Sequence, residues 1–186
     1  ETGEMNALTN ALTGFFRPQP ISDDQLIAFH YTAKGFLPVM QGYLAARNVE
    51  SRRFGLLYEP LINMKVSGRI DFTEESPYAQ RLIADFSAMG TWLSQAGRRG
   101  QPMLIDGRPL VYVFGSHTFG RHGNELPAVG RALTRARAAF TEAFGAPPWL
   151  IGDEALFPAD HEAGPDRLFR ASYFDAITRY HHYDEA

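Results

Sequence analysis

Side chains that can bind a polar ligand or transfer a proton stand directly after four short apolar segments of this chain. They are carboxylates, imidazoles, phenols and a hydroxyl, at Tyr58, Glu59, Ser116, His117, Asp153, Glu154, Tyr180 and His182. Carboxylates bind hydroxyl groups through charge-assisted hydrogen bonds, and aromatic rings stack on the apolar face of a sugar ring. Two carboxyl groups can also serve as acid and base, or acid and nucleophile, in glycosidic cleavage. Brought together, these residues would suit a carbohydrate.

The four apolar segments have the composition of buried strands, and helical patterns separate them. The segments span 54–60, 108–114, 149–152 and 174–180. The second follows an Asp-Gly turn and is apolar almost throughout, so we expect it to be covered on both faces. One helix is predicted from the cap Ser76 to the stop at Gly97, and another over 126–144. Strands separated by helices pair in parallel with their carboxyl ends at one edge. The sequence therefore predicts an α/β fold.

Glu59 is the first candidate for a catalytic or sugar-binding carboxylate, because the proline that follows it ends the strand there. Asp153 and Glu154 are its candidate catalytic partners. The candidate lining residues are Tyr58, Tyr112, Ser116, His117, Tyr180 and His182. A structural interpretation stays open, because carboxylates at strand ends also cap helices or pair with arginine. Carboxyl groups about 5 to 9.5 Å apart across a cleft would favour a hydrolase. Acids buried against arginines would favour the structural role.

Composition argues against several classes of function. The net charge is −3, with both signs mixed along the chain, so neither a nucleic acid nor an anionic membrane is an expected partner. No apolar run reaches membrane-spanning length, and the absence of cysteine rules out thiolate chemistry. The adjacent His181 and His182 would point to opposite faces of a strand, and no glycine-rich phosphate loop follows any strand. We therefore expect neither a metal nor a cofactor.

Three segments resemble the glycoside hydrolase family 99-like group, whose members include endo-acting α-mannosidases. The Glu-Pro pair at Glu59-Pro60 is similar to a strand end of that family, and the Ile-Asp-Gly-Arg-Pro segment at 105–109 is similar to a later strand entry. The Phe-Asp-Ala segment at 174–176 resembles the start of a further strand. The resemblance covers roughly residues 54–183. It implies a TIM-barrel-like fold, here a partial barrel of about four parallel strands, because a whole barrel needs about 250 residues.

The family's catalytic Glu-Trp-x-Glu pattern does not occur in this chain. Only the glutamate of the Glu-Pro pair, here Glu59, carries over, and in the family this glutamate supports the sugar site without being one of that pattern's acids. We expect residues 4–186 to form one domain or a barrel fragment. The expected function is that of a glycoside hydrolase. Two alternatives stay open: a non-catalytic glycan-binding or polysaccharide-assembly domain, and an inactive fragment that a homo-oligomer or partner chain completes. Glu1-Thr2-Gly3 resembles a secretion-vector remnant, and the family's relatives accompany bacterial polysaccharide genes, so we expect a secreted or periplasmic bacterial protein.

Overall fold

A computed structural model describes residues 53–60, 64, 70–73, 76–95, 102–120, 125–154 and 169–178. Its elements, in chain order, are β1 (Leu56–Tyr58), α1 (Pro77–Ser94), β2 (Leu104–Ile105), β3 (Arg108–Val113), a 3₁₀ turn (Ser116–Thr118), α2 (Leu126–Phe144), β4 (Trp149–Asp153) and β5 (Ala176–Thr178). Strands alternate with helices along the described part of the chain, which confirms the predicted α/β fold.

The sheet has the strand order β1-β3-β4-β5, and each of these neighbours pairs in parallel. The short β2 adds an antiparallel pairing to the start of β3, across the turn at Asp106 and Gly107. The predicted set of four parallel strands is therefore confirmed. Because these strands are all parallel, they all end on the same side of the sheet, which we call its carboxyl end. The opposite side is its amino end.

Local sequence explains where the two helices begin and end. The Ser76 hydroxyl accepts a hydrogen bond from the Tyr78 amide at 3.2 Å, and Pro77 occupies the first turn, where its missing N–H costs nothing. This confirms the predicted start of α1. The helix ends at Ser94, whereas Gly97, its predicted stop, lies outside the described residues. Helix α2 ends as predicted at Gly145, whose φ of 98° suits a residue without a Cβ.

The core lies between the sheet and the two helices. Val111 and Val113 on β3 belong to the same buried cluster as Phe86 of α1 and Phe140 of α2. Residues of β3 alternate between buried and half-buried, so the helices pack on one face of the strand. Complete burial of both faces was the expectation for this segment. In the described part of the chain its second face is only half-covered.

The helices themselves meet closely at Gly90 of α1. A Cβ at this position would lie 2.7 Å from the carbonyl oxygen of Phe140 on α2. Glycine is required here because the two backbones approach each other directly.

Among the helices of the described segments, none combines the length and apolar character needed to cross a membrane.

Candidate functional site

Glu59 lies at the carboxyl end of the sheet, immediately after β1. The pairing of Tyr58 with Val113, and of Val113 with Gly152, places Glu59 two strand spacings from Asp153. At about 4.8 Å a spacing, their Cα atoms are about 10 Å apart. Tyr58 faces the helices, so alternation places Glu59 on the opposite, half-covered face of the sheet. The half-buried Tyr112 on β3 lies on that same face.

The Glu59 carboxyl group is half-buried, and this burial raises its pKa to about 7. Desolvation is the cause, because removal from water disfavours the charged form of a carboxyl group. A carboxyl group with a pKa near neutrality exists in both forms at physiological pH and can give or take a proton there. Glu59 therefore has the protonation behaviour expected of a general acid or base.

Tyr58 occupies the helix side of β1 and contributes to the core. Its side chain is fully buried, and its hydroxyl donates to Asp85 Oδ2 at 2.9 Å. Arg81 Nε donates to the other oxygen of Asp85 at 2.7 Å, and the Tyr58 ring packs edge-on against Phe86. Burial raises the pKa of Asp85 to about 7 despite the opposing effect of the Arg81 charge. Tyr58 thus binds a buried acid on α1, on the opposite side of the sheet from Glu59.

Three consecutive residues after β3 contact the two acids at the end of β4. The Gly115 amide donates to Asp153 Oδ2 at 3.1 Å, and the Ser116 hydroxyl donates to Glu154 Oε1 at 2.7 Å. The His117 Nδ1 atom lies 3.3 Å from the backbone carbonyl oxygen of Asp153. Gly115 has a φ of 66°, which turns the chain into the 3₁₀ turn that carries the other two residues. We call these five residues the strand-end clamp.

Arg170 completes the buried side of the strand-end clamp. Its Nε and Nη2 atoms donate to Glu154 Oε2 at 2.9 and 2.6 Å, and both side chains are at most 1% exposed. A carboxylate that is enclosed with an arginine and a hydroxyl meets the criterion for a structural role. Asp153 is equally buried, with one oxygen on the Gly115 amide. Sequence reasoning missed Arg170, although an arginine inside the run Leu168-Phe169-Arg170-Ala171 was a usable signal.

The structure thus brings four of the predicted site residues into direct contact, namely Ser116, His117, Asp153 and Glu154. Ser116 is fully buried, whereas His117 is half-buried. Glu59 and Tyr112 share the half-covered sheet face, and Tyr58 lies on the other face. Tyr180 and His182 lie outside the described residues. Among the described residues, no three His, Asp or Glu side chains are grouped so that they could hold a metal ion.

A second charged cluster lies at the amino end of the sheet. Asp175 accepts hydrogen bonds from Arg108 at the start of β3, from Arg137 of α2 and from the Leu150 amide of β4. Burial raises the pKa of Asp175, but these hydrogen bonds and the Arg137 charge outweigh it, so the net pKa is lowered. Arg108 and Asp175 belong to the Ile-Asp-Gly-Arg-Pro and Phe-Asp-Ala segments. Two segments that carry the resemblance therefore meet here, away from Glu59.

A groove of about 470 Å³ lies on the outer side of α2. Its lining residues are Pro127, Gly130, Arg131, Thr134, Arg135 and Tyr173. Tyr173 packs over Gly130 and donates its hydroxyl to the Leu126 carbonyl at 3.3 Å. Among the predicted site residues that the structure describes, none lines this groove, which sets it apart from Glu59 and the strand-end clamp.

The chain was compared with protein-family models, with curated proteins and with solved structures. None of the three comparisons finds a match. The candidate site therefore has to be interpreted from its own geometry and chemistry.

Proposed function

We propose that this chain is a carbohydrate-active domain and acts as a glycoside hydrolase with Glu59 as its proton donor. One observation carries the proposal: Glu59 lies at the carboxyl end of a parallel sheet, on the face that the helices leave half-covered, with its pKa raised to about 7. Active sites of barrel and open α/β sheets form at the carboxyl ends of their strands. A glycosidase acid must hold its proton near the working pH until the leaving oxygen takes it.

The second carboxylate of the proposed reaction is Asp153. It lies at the same end of the sheet as Glu59, two strands away. Inverting glycosidases place their two carboxyl groups about 6.5 to 9.5 Å apart, with the attacking water between one carboxylate and the sugar. The Gly115 amide donates a hydrogen bond to Asp153 Oδ2 at 3.1 Å and orients this carboxyl group. Glu154 is not assigned a catalytic role, because it forms a buried ion pair with Arg170.

We also propose that the four parallel strands are a segment of a TIM-like barrel similar to that of the glycoside hydrolase family 99-like group. The sequential strand order and the packing of α1 and α2 on one side of the sheet support this proposal. In a TIM barrel, successive strands lie side by side in chain order, and the helices pack on the outer face of the sheet. The contact between Arg108 and Asp175 also supports it, because it joins two of the segments that carry the resemblance. In such a barrel, Glu59 and Tyr112 would face the interior.

The test of the hydrolase proposal compares Glu59→Gln with the matched variant Glu142→Gln. Glu142 is exposed on α2 and loses the same charge without touching the site. Release of reducing ends is measured with neutral oligosaccharides and polysaccharides, α-mannans among them. We expect Glu59→Gln to lower turnover about 100-fold or more, because a proton donor is lost, and Glu142→Gln to match the wild type. Equal turnover by Glu59→Gln and the wild type would contradict the proposal.

A second candidate function is glycan binding without cleavage. The observation that favours it is the burial of Asp153, which is 1% exposed and leaves Glu59 as the more accessible acid of the two. Tyr112 then supplies a ring for stacking beside the Glu59 carboxyl group. Affinity electrophoresis in gels that contain the same glycans distinguishes the two functions. Retardation of the wild type without release of reducing ends, and its loss in Tyr112→Ala, would favour the binding domain.

A further inference from the structure

The backbone on each side of Glu59 is held by hydrogen bonds. The Tyr58 carbonyl accepts the amide of Phe114, directly after β3, at 2.9 Å, and the Pro60 carbonyl accepts the Met64 amide at 2.8 Å. The proline ring also restricts the backbone angle φ directly after Glu59. Backbone contacts of this kind place Glu59 along the sheet. The distance of this strand end from the helices depends on side chains.

The side chain of Tyr58 joins the end of β1 to α1. It is fully buried, its ring packs edge-on against Phe86 with the ring centroids 5.5 Å apart, and its hydroxyl donates to Asp85 Oδ2 at 2.9 Å. The ring fills space in the core, whereas the hydrogen bond is directional and requires one position of its acceptor. Tyr58 is therefore tied to one point on α1.

Asp85 is itself held in one orientation on α1. Its side chain is 2% exposed, and Arg81, one turn earlier on the helix, donates from Nε to Asp85 Oδ1 at 2.7 Å. One oxygen of the carboxyl group thus binds Arg81 and the other binds Tyr58. Rotation of this group would leave a buried polar atom without its partner, which is costly. Asp85 consequently offers Tyr58 a fixed acceptor.

We propose that Asp85 is a positioning residue for Glu59: through the Tyr58 hydroxyl it holds the end of β1 so that the Glu59 carboxyl group stays half-buried on the opposite face of the sheet. Neighbouring residues of a strand point to opposite faces, so a shift of the backbone at Tyr58 moves Glu59 with it. The contact of the Glu59 carboxyl group with water sets how readily it releases its proton. The role in catalysis rests on the proposed function, whereas the link between Asp85 and Glu59 does not.

The link is measured without substrate by titrating the ¹³C signal of the Glu59 side-chain carboxyl group in the full chain from about pH 3 to about pH 9. Loss of the signal in Glu59→Gln assigns it. We expect a midpoint of about 7 in the wild type. Tyr58→Phe removes only the hydroxyl, and Asp85→Ala removes its acceptor. Each should lower the midpoint by about one pH unit or more, because the released carboxyl group gains water.

Two further variants separate positioning from charge and from a general loss of stability. Asp85→Asn removes the charge but keeps an oxygen that can accept the Tyr58 hydroxyl, so we expect it to restore most of the wild-type midpoint. Leu133→Ala truncates a buried side chain on α2 and lowers the free energy of unfolding without touching the Tyr58–Asp85 bond. Its midpoint should equal that of the wild type. Urea unfolding checks that each variant is folded.

An unchanged midpoint in folded Tyr58→Phe and Asp85→Ala would overturn the proposal. So would a wild-type midpoint near the ordinary value of 4.5, because Glu59 would then not be held away from water. An equal fall in Leu133→Ala would trace the effect to stability, and an equal fall in Asp85→Asn would trace it to charge, and either result contradicts positioning. Tyr58→Phe keeps the ring beside Phe86 and decides the test if Asp85→Ala does not fold.

Catalysis supplies a second readout under the proposed function. In Tyr58→Phe a smaller fraction of Glu59 is protonated at pH 7, so we expect kcat to fall several-fold with KM nearly unchanged. The alkaline limb of the pH profile should move to lower pH together with the midpoint. An unshifted profile in an active Tyr58→Phe would overturn the role in catalysis. A wild type that cleaves no glycan but shows the shifted midpoints in its variants would refute only the proposed function.

Discussion

The two ends of the sheet both carry an arginine–carboxylate cluster, yet they place these charges in different surroundings. At the amino end, Arg108, Arg137 and Asp175 are 20 to 25% exposed, and hydrogen bonds lower the pKa of Asp175. At the carboxyl end, Glu154 and Arg170 are removed from water, and burial raises the pKa of Glu59. The two ends therefore differ in solvent access, and the pKa of Asp175 at one end and that of Glu59 at the other move in opposite directions.

The two ends of the sheet also differ in the role that we assign to their charged residues. The amino-end cluster connects β3, β4, α2 and the start of β5 through hydrogen bonds and ion pairs, and these contacts stabilise the fold. Residues at the amino end of a parallel barrel generally serve stability, and those at the carboxyl end serve binding and catalysis.

The largest effect is expected at the carboxyl end, from Arg170→Met. The variant leaves the Glu154 charge buried without its partner, so the free energy of unfolding should fall by about 3 to 5 kcal/mol. Urea unfolding monitored by tryptophan fluorescence measures it. The double variant Glu154→Leu/Arg170→Met removes both charges and should recover much of this loss. A loss of about 1 kcal/mol or less in Arg170→Met would show that the two ends do not differ in this way.

A smaller effect is expected at the amino end, from Asp175→Asn. The charged acceptor of two arginines is lost, but water reaches this cluster, so the free energy of unfolding should fall by about 1 to 2 kcal/mol at pH 7. Because the pKa of Asp175 is lowered in the folded state, this contribution is present above its ordinary pKa of 3.8 and is lost on acidification through the folded value. Unfolding by urea at pH 7 and pH 3 should show the difference between variant and wild type shrinking at pH 3. A difference that grows on acidification would contradict this account.

The smallest effect is a pH dependence of opposite sign from Glu59. The unfolded chain releases this proton near pH 4.5, whereas the folded chain retains it to about pH 7. Its contribution to stability is therefore complete below about pH 4.5 and is lost as the pH rises to about 7. Thermal unfolding between these values should show a smaller decline in Tm for Glu59→Gln than for the wild type. Glu142→Gln is the control, and identical declines in all three proteins would refute the raised pKa.

Local signals predicted the scaffold well. The cap at Ser76, the proline that follows it and the glycine after Phe144 set the helix ends, since each acts through its own backbone conformation. The four parallel strands followed from short apolar runs, although β5 begins at Ala176, two residues after the start of its predicted segment. The candidate site was harder to predict than the scaffold, because Tyr58 and Glu59 are neighbours in the sequence but face opposite sides of the sheet. Sequence placed both at a strand end but did not show which of them the helices would cover.

The sequence by itself determined the alternation of strands and helices, the carboxyl-end position of Glu59 and the absence of thiol chemistry, because these depend on residue type and local spacing. Tertiary structure alone decided the partners of the charges. Arg170 and Glu154 are 16 residues apart, Tyr58 and Asp85 are 27 apart, and Arg108 and Asp175 are 67 apart. Such contacts depend on strand register and helix packing, which no local pattern encodes. The same packing withdrew Asp153 and Glu154 from water and left Glu59 half-buried with a raised pKa.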